Sequence, residues 1–276
     1  KSILKAARMA INKINDPIFE IVPKDTGSNP EQTLISTNEL RAEGIKIVIG
    51  PIFQKNLQYL GSFNEMTFIS FTNKNYKNPR NVLSAGINAE SQINTIKKFL
   101  IQKKLKKTLV LIPENDFKNE VDFAIERSNF DYKKKFYYNT SPIKINEQIQ
   151  KFTNYNQRKK NLEDEIKRIE NSNIENKEKK IEELKKKDTL GTIGFDSVVI
   201  CDFEEGLRSV ATSLLYSDVS SKEVAFISLN QWFNSQLVKE KTIHPLYFPS
   251  INDVEFELFQ NNFNKHFDEI PSHLSL

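Results

Sequence analysis

Three histidines and one cysteine are the side chains best suited to acid–base, metal or nucleophilic chemistry in this chain, and their spacing argues against all three. His244, His266 and His273 have no second His or Cys at metal-ligand spacing. Glu269 follows His266 by three residues, which places the two on one helical face, but Pro271 marks the end of that helix. The pair reads as surface or interface chemistry rather than catalysis. Cys201 closes the apolar run Val198-Val199-Ile200 and reads as a buried spacer; a lone cysteine permits no internal disulfide. No Gly-x-Ser-x-Gly elbow, Walker loop or Gly-x-Gly-x-x-Gly occurs, and Gly50-Pro51 is not followed by Gly-Lys-Ser/Thr. With only 8 glycines, a phosphate cradle would have to be of unusual form. The expectation is therefore a protein without catalytic residues, metal or cofactor.

The elements that position any remaining site alternate in type. Strands are expected at 46–49, 67–70, 82–85, 108–112, 135–138, 196–201 and 223–228, with a further short one at Phe19-Glu20-Ile21-Val22. Between them, helical spacing of apolar residues covers 1–15, 30–43, 55–64, the stretch marked by Ile93, Ile96 and Leu100, 117–128 and 204–216. Phe256, Phe259, Phe263 and Phe267 stripe a late helix. Such alternation means an α/β protein with parallel sheets and helices on both faces. Ligands in such sheets bind beyond the carboxyl ends of the strands, which directs attention to the loops after 46–49, 67–70, 108–112 and 223–228.

The chain has 276 residues, enough for one large domain or two smaller ones. Its 38% hydrophobic and 28% charged residues fit a globular protein. A net charge of +4, with Lys and acidic residues mixed along the chain, carries no nucleic-acid footprint. No apolar run reaches the ~18 residues of a membrane span. The chain starts at Lys1 inside a helical pattern, which reads as a fragment of a longer precursor.

One segment breaks the alternation. Residues 158–187 hold 11 Lys/Arg and 8 Asp/Glu without Gly or Pro. The sparse apolar positions Leu162, Ile166 and Ile169, then Ile174, Ile181 and Leu184, describe two narrow-striped helices about Asn171-Ser172-Asn173. This hairpin is either solvated on all sides or docks on another protein; its end Lys185-Lys186-Lys187 also suits anionic lipid.

Ile47-Val48-Ile49-Gly50-Pro51-Ile52-Phe53 resembles the third-strand loop of type I periplasmic binding proteins, the Leu/Ile/Val-binding-protein-like superfamily. Thr67 to Asn73 resembles that family's second binding loop, and Leu109-Val110-Leu111-Ile112-Pro113 with Asn115-Asp116-Phe117 resembles the opening of its second lobe. Val22-Pro23-Lys24-Asp25-Thr26-Gly27, Asp188-Thr189-Leu190-Gly191, Phe195-Asp196-Ser197-Val198, Leu229-Asn230-Gln231-Trp232 and Pro271-Ser272-His273-Leu274 are together most similar to alphaproteobacterial penicillin-binding protein activator lipoproteins. The resemblance implies two Rossmann-like lobes joined by a hinge, with a charged helical hairpin inserted at about 156–187. Lobe one would be 1–87 and 248–276, and lobe two 88–247, with Gly86 and Pro249 at the hinge. It implies a first strand upstream of Lys1, a periplasmic location and an upstream lipid anchor.

The same resemblance maps an interlobe cleft onto Gln54, Lys55, Ser70, Thr72, Asn73, Phe117, Asn230, Gln231 and Trp232. Lys55 suits an anion or opens a solvated helix. Ser70, Thr72 and Asn73 suit ligand hydrogen bonds or ordinary turn chemistry. Phe117 matches an aromatic lid, and Trp232 fits the cleft or packing between lobes. The small hydroxyl residues usual in the first loop are replaced here. The carboxylate that pairs a ligand ammonium is absent at Asn230-Gln231, leaving Asp202, Glu204 and Glu205 as substitutes. Two partners are implied: a penicillin-binding protein, or the permease of an ABC transporter whose amino-acid (branched-chain type) or other polar solute this chain would carry.

Overall fold

A computed structural model describes residues 2–14, 18, 20–230 and 241–272. The chain divides into two compact units, one of Lys1–Ser91 with Ser250–Leu276 and the other of Gln92–Pro249. Gln231, Trp232 and His273 lie outside the described residues.

In the first unit, helix α1 (Ser2–Ile14) precedes α2 (Pro30–Ala42), and a parallel sheet follows in the order β1 (Ile47–Ile49), β2 (Thr67–Ser70), β3 (Val82–Ser84). Asn29 caps α2, its side chain accepting from the amides of Glu31 (2.8 Å) and Gln32 (3.1 Å), with Pro30 at the first helical position. One sheet face supplies Phe68 and Val82 to a core completed by Leu40, Leu57, Leu60, Phe63 and Met66. The opposite face leaves Ile47, Ile49 and Leu83 largely exposed. The last helix, α9 (Asp253–Phe267, the ninth among the described residues), belongs to this unit, where Glu269 beyond its end pairs with Lys5 of α1 at 2.6 Å.

Two sequence expectations fail here. Glu20-Ile21-Val22 is not a strand, and Phe19 lies outside the described residues. These residues join neither sheet's ladder, although Val22 packs against the first unit's core. The helix expected over 55–64 is instead two 3-10 turns, Gln54–Asn56 and Leu60–Ser62. The segment closes i to i−3 bonds (Leu57 to Gln54 at 2.9 Å, Leu60 to Leu57 at 3.0 Å, Phe63 to Leu60 at 3.1 Å), and the Asn81 side-chain amide ties down its end at the carbonyls of Leu60 (2.9 Å), Phe63 (2.9 Å) and Met66 (3.3 Å).

The second unit is built on a parallel sheet in the order β5-β4-β6-β7-β8, with β4 (Thr108–Pro113), β5 (Lys134–Tyr138), β6 (Ser197–Ile200), β7 (Ala225–Ser228) and β8 (Leu246–Tyr247). Every residue of β4 and β6 is buried, as continuous apolar runs in central parallel strands require. Leu109, Leu111, Val198, Ile200 and Phe226 pack on one face with Ile145 and Ile149 of α5 (Pro142–Phe152) and with Leu207, Val210 and Leu214 of α8 (Glu204–Tyr216). Alternate residues Val110, Ile112 and Val199 point to the other face. There α4 (Lys118–Arg127) packs on β4, and α3 (Ala89–Lys103) buries Ile93, Ile96 and Leu100.

The charged segment forms α6 (Tyr155–Glu170) and α7 (Lys177–Lys185), packed against each other. α7 buries no residue. The root of α6 is different in kind. Arg158 is 4% exposed and donates to the carbonyls of Thr153 (3.2 Å), Ser217 and Asp218 (3.3 Å) and to Thr189 Oγ1 (2.7 Å). Thr189 Oγ1 in turn donates to the Asp218 carboxylate, and the Leu190 amide donates to the Arg158 carbonyl at 3.0 Å. One guanidinium thus ties the start of α6 and the Asp188–Gly191 segment to the end of α8.

Candidate ligand-facing loops

The strand-end loops of the first unit are tightly tied to each other. Gly50 ends β1 at φ 116, a conformation that favours glycine, and its amide donates to the Ile69 carbonyl at 2.8 Å. The Ser70 hydroxyl donates to the Pro51 carbonyl and accepts from the Thr72 amide at 3.2 Å, while Thr72 Oγ1 accepts from the Lys74 amide at 3.2 Å. Both hydroxyls are buried. A Cβ on Gly86 would lie 2.5 Å from the carbonyl oxygens of Phe71 and Thr72. Only glycine lets the chain after β3 pass this close. Gln54 Nε2 donates to the Tyr76 carbonyl (2.7 Å) and to Asn78 Oδ1 (3.3 Å), and Asn78 Nδ2 donates to the Lys74 carbonyl (2.8 Å) and Ser84 Oγ (3.1 Å). The ends of all three strands are joined by this network. Lys55 and Asn73 are exposed.

In the second unit Phe117 follows β4, its amide held by Asn115 Oδ1 at 3.0 Å, and its ring lies 5.5 Å from that of Phe203 beyond β6. Beneath this pair the buried Tyr138 hydroxyl donates to Asp202 Oδ2 at 2.5 Å, and the Phe203 amide donates to Asp202 Oδ1 at 2.8 Å. Burial, reinforced by the Asp202 charge, pushes the Tyr138 hydroxyl far above the usual phenol range, so it stays a donor. A Cβ on Gly206 would sit 2.3 Å from Asp202 Oδ2, so the first turn of α8 closes directly over the carboxylate. Both Asp202 oxygens therefore already accept from the protein itself. Glu205 pairs with Arg208 at 2.8 Å, and Glu204 is exposed. The Asn230 amide donates to Gln92 Oε1 at 2.7 Å.

The structure brings together Gln54, Ser70 and Thr72 in one unit and places Phe117 and Asn230 at strand ends in the other. Tyr138, Phe203 and Gly206 were not singled out in the sequence. The signal available was Gly206, a glycine in the first turn of an otherwise apolar-periodic helix just after a strand-end Asp. His266 Nδ1 contacts the Asn262 carbonyl at 2.7 Å, and Glu269 is taken by Lys5. Burial pushes the Cys201 thiol well above its ordinary range, which leaves it a packed, unreactive side chain. Among the described residues no group of His, Cys, Asp and Glu is arranged to hold a metal ion, and no helix is long and apolar enough to cross a membrane.

No family model matches the sequence, and no curated protein matches it. Solved structures do. A putative branched-chain amino acid ABC transporter protein from Rhodospirillum rubrum aligns at TM-score 0.61 and 11% identity, over 99% of this chain and 74% of the other. An ABC transporter substrate-binding protein from Desulfitobacterium hafniense aligns at 0.57 and 13%, again over 99% and 74%. Full-length LpoA from Haemophilus influenzae aligns at 0.52 and 15%, over 83% of this chain and 35% of that one. The chain thus spans about a third of LpoA's length. With its two parallel-sheet units, this chain has the fold of the type I periplasmic binding proteins.

Proposed function

We propose that this chain is a non-catalytic envelope protein of the penicillin-binding protein activator type, acting in the periplasm by protein–protein contact. In this reading an upstream segment supplies the lipid anchor. The lobes are 1–87 with 248–276 and 88–247, Gly86 and Pro249 mark the hinge, and the helical segment 156–187 is an insertion. The observation that carries the reading is the internal use of the polar groups that a small ligand would need. Ser70, Thr72 and Gln54 bond to their own strand ends, and both oxygens of Asp202 accept from Tyr138 and the Phe203 amide. Such groups would have to break existing bonds to bind a solute. The likeness to LpoA, whose C-domain is described as a regulator of PBP1A, is in keeping with this.

A second reading is favoured by the alignment over 99% of the chain with substrate-binding proteins. Here the chain is the solute-binding component of an ABC transporter for branched-chain amino acids or another small polar solute, with Lys55, Asn73, Phe117, Asn230, Gln231 and Trp232 contributing to the cleft. One paired experiment separates the two. The chain is tested for binding to an immobilised bifunctional penicillin-binding protein and, in parallel, for thermal stabilisation by amino acids and muropeptide fragments. Complex formation with a flat thermal screen is the expected result. No complex, together with a dose-dependent rise for one amino-acid class, overturns the first reading in favour of the second.

A further inference from the structure

The amino ends of the strands in the second unit carry a charge imbalance that the carboxyl-end loops do not explain. No acidic residue occurs between Glu90 and Glu114, a stretch that holds Lys97, Lys98, Lys103, Lys104, Lys106 and Lys107. Residues 131–135, Asp-Tyr-Lys-Lys-Lys, add three more cations against one acid. The fold gathers these two stretches at one end of the sheet. The Lys133 amide donates to the Thr108 carbonyl at the start of β4 (2.8 Å), and the Lys133 ammonium reaches the Gly194 carbonyl just before β6 (2.6 Å). Lys97 of α3 donates to the carbonyls of Ser128 and Asn129 beyond α4, each at 2.9 Å, tying α3 to the segment that leads into β5. The nearby Asp196 does little to neutralise the patch from outside. Its oxygens accept from the amides of Lys106 (2.9 Å) and Lys107 (3.1 Å) and from the Ser197 hydroxyl (2.9 Å), so the carboxylate faces into the backbone.

Two apolar side chains stand among these cations. Ile101, on the last turns of α3, is 69% exposed, and Tyr132, just before β5, is 42% exposed with the Lys135 ammonium over its ring. Lys103, Lys104, Lys106, Lys107, Lys133 and Lys134 are exposed around them. A cationic rim around an aliphatic and an aromatic side chain is the composition that binds a charged membrane interface. There, ammonium groups meet anionic headgroups, and tyrosine and isoleucine enter the headgroup region.

We infer that this end of the second unit, centred on Lys104, Lys106, Lys107 and Lys134 with Ile101 and Tyr132, docks on an anionic lipid surface. The surface is separate from the carboxyl-end loops, so a docked unit keeps those loops clear of the headgroups. The inference does not depend on the activator reading.

The test is co-sedimentation of the purified chain with phosphatidylcholine vesicles, with and without phosphatidylglycerol, at low and high salt. The expected result is binding only to the anionic vesicles, lost as salt rises. Each lysine at such a surface is worth about fivefold in partitioning. The combined variant Lys104→Gln, Lys106→Gln, Lys107→Gln, Lys134→Gln should therefore bind at least ~10-fold more weakly, allowing for lysines that stand off the surface. Ile101→Ser should weaken binding by about the same factor at each salt concentration where binding is measurable, because it removes an apolar contact, which salt does not screen, rather than a charge. The variant Lys185→Gln, Lys186→Gln, Lys187→Gln, at the end of α7, should bind as the unmodified chain does. Equal binding to uncharged vesicles, unchanged binding by the four-lysine variant, or loss confined to the α7 variant would each overturn the inference. So would capture by duplex DNA but not by vesicles. Matching melting curves for the variants exclude misfolding as the cause of any loss.

Discussion

Replacing Arg158 by alanine should destabilise the second unit far more than any other change in the charged helices. The guanidinium makes two short bonds, to Thr189 Oγ1 at 2.7 Å and to the Ser217 carbonyl, and two longer ones, to Thr153 (3.2 Å) and Asp218 (3.3 Å). Hydrogen bonds from a charged donor contribute about 1.5–3 kcal/mol each, and the buried carbonyls left without a donor add a desolvation penalty. The Asp218 carboxylate, 3.7 Å away, contributes little because its side chain is 40% exposed. Counting only the two short bonds, and allowing water to reach part of the gap, Arg158→Ala should lose about 3–4 kcal/mol. With a urea dependence of about 2–3 kcal/mol per molar, the midpoint should fall by roughly 1–2 M. Arg158→Lys should recover about half, since one ammonium satisfies one of the two principal acceptors. Asp218→Asn should cost under ~1 kcal/mol. The assay is urea unfolding followed by circular dichroism, together with a double-mutant cycle between Arg158→Ala and Thr189→Val. A loss below ~1 kcal/mol for Arg158→Ala, or additive effects in the cycle, would refute the clasp.

Gly86→Ala should destabilise the first unit by at least ~2 kcal/mol, because the new methyl meets two backbone carbonyls at 2.5 Å that cannot step aside; a melting temperature within a degree or so of the parent would contradict this. Asp196 should shape the acid limb of stability. Burial raises its pKa, but the amides of Lys106 and Lys107 and the Ser197 hydroxyl outweigh burial and hold it below the usual carboxylate range. A depressed native pKa contributes stability that is fully present above the unfolded value near pH 4 and lost as pH falls through the native value. Asp196→Asn should therefore be less stable than the parent at neutral pH, and the two should converge as pH falls through the depressed native pKa. Parallel stability curves across that range would show that the carboxylate is not held this way.

The buried strands were legible because a parallel strand covered on both faces is an uninterrupted apolar run. Leu109 to Ile112 and Val198 to Ile200 announce themselves, and both are central strands. Edge and short elements were not. β8, at Leu246–Tyr247, is too brief for any periodicity to register. Helix α5 was overlooked although Ser141-Pro142 is a recognisable start and Ile145, Ile149 and Phe152 form its stripe. The 55–64 error shows a limit of another kind: the 3-10 turns there are tied to Asn81, about twenty positions downstream, where no local pattern reaches. Arg158 is the sharpest case. In the sequence it opens a run of solvated charges, and nothing local distinguishes it from Lys159 or Lys160. Its partners at Thr189, Ser217 and Asp218 are up to 60 residues away. The strand-end loops were placed correctly, but whether Ser70 and Thr72 point their hydroxyls outward or into their own turn depends on backbone geometry that composition does not encode.

The clasp at the root of α6 has an engineering consequence. Beyond Leu162 and Ile169 the helix pair contributes almost nothing to the sheet's core, and α7 contributes no buried residue at all. Chain length past the root is therefore nearly independent of the rest of the unit. The Asn171-Ser172-Asn173 turn is a natural port for a fluorophore, an affinity tag or an inserted domain. Whole turns could be added to or removed from both helices in step, while the guanidinium keeps the stem attached to α8.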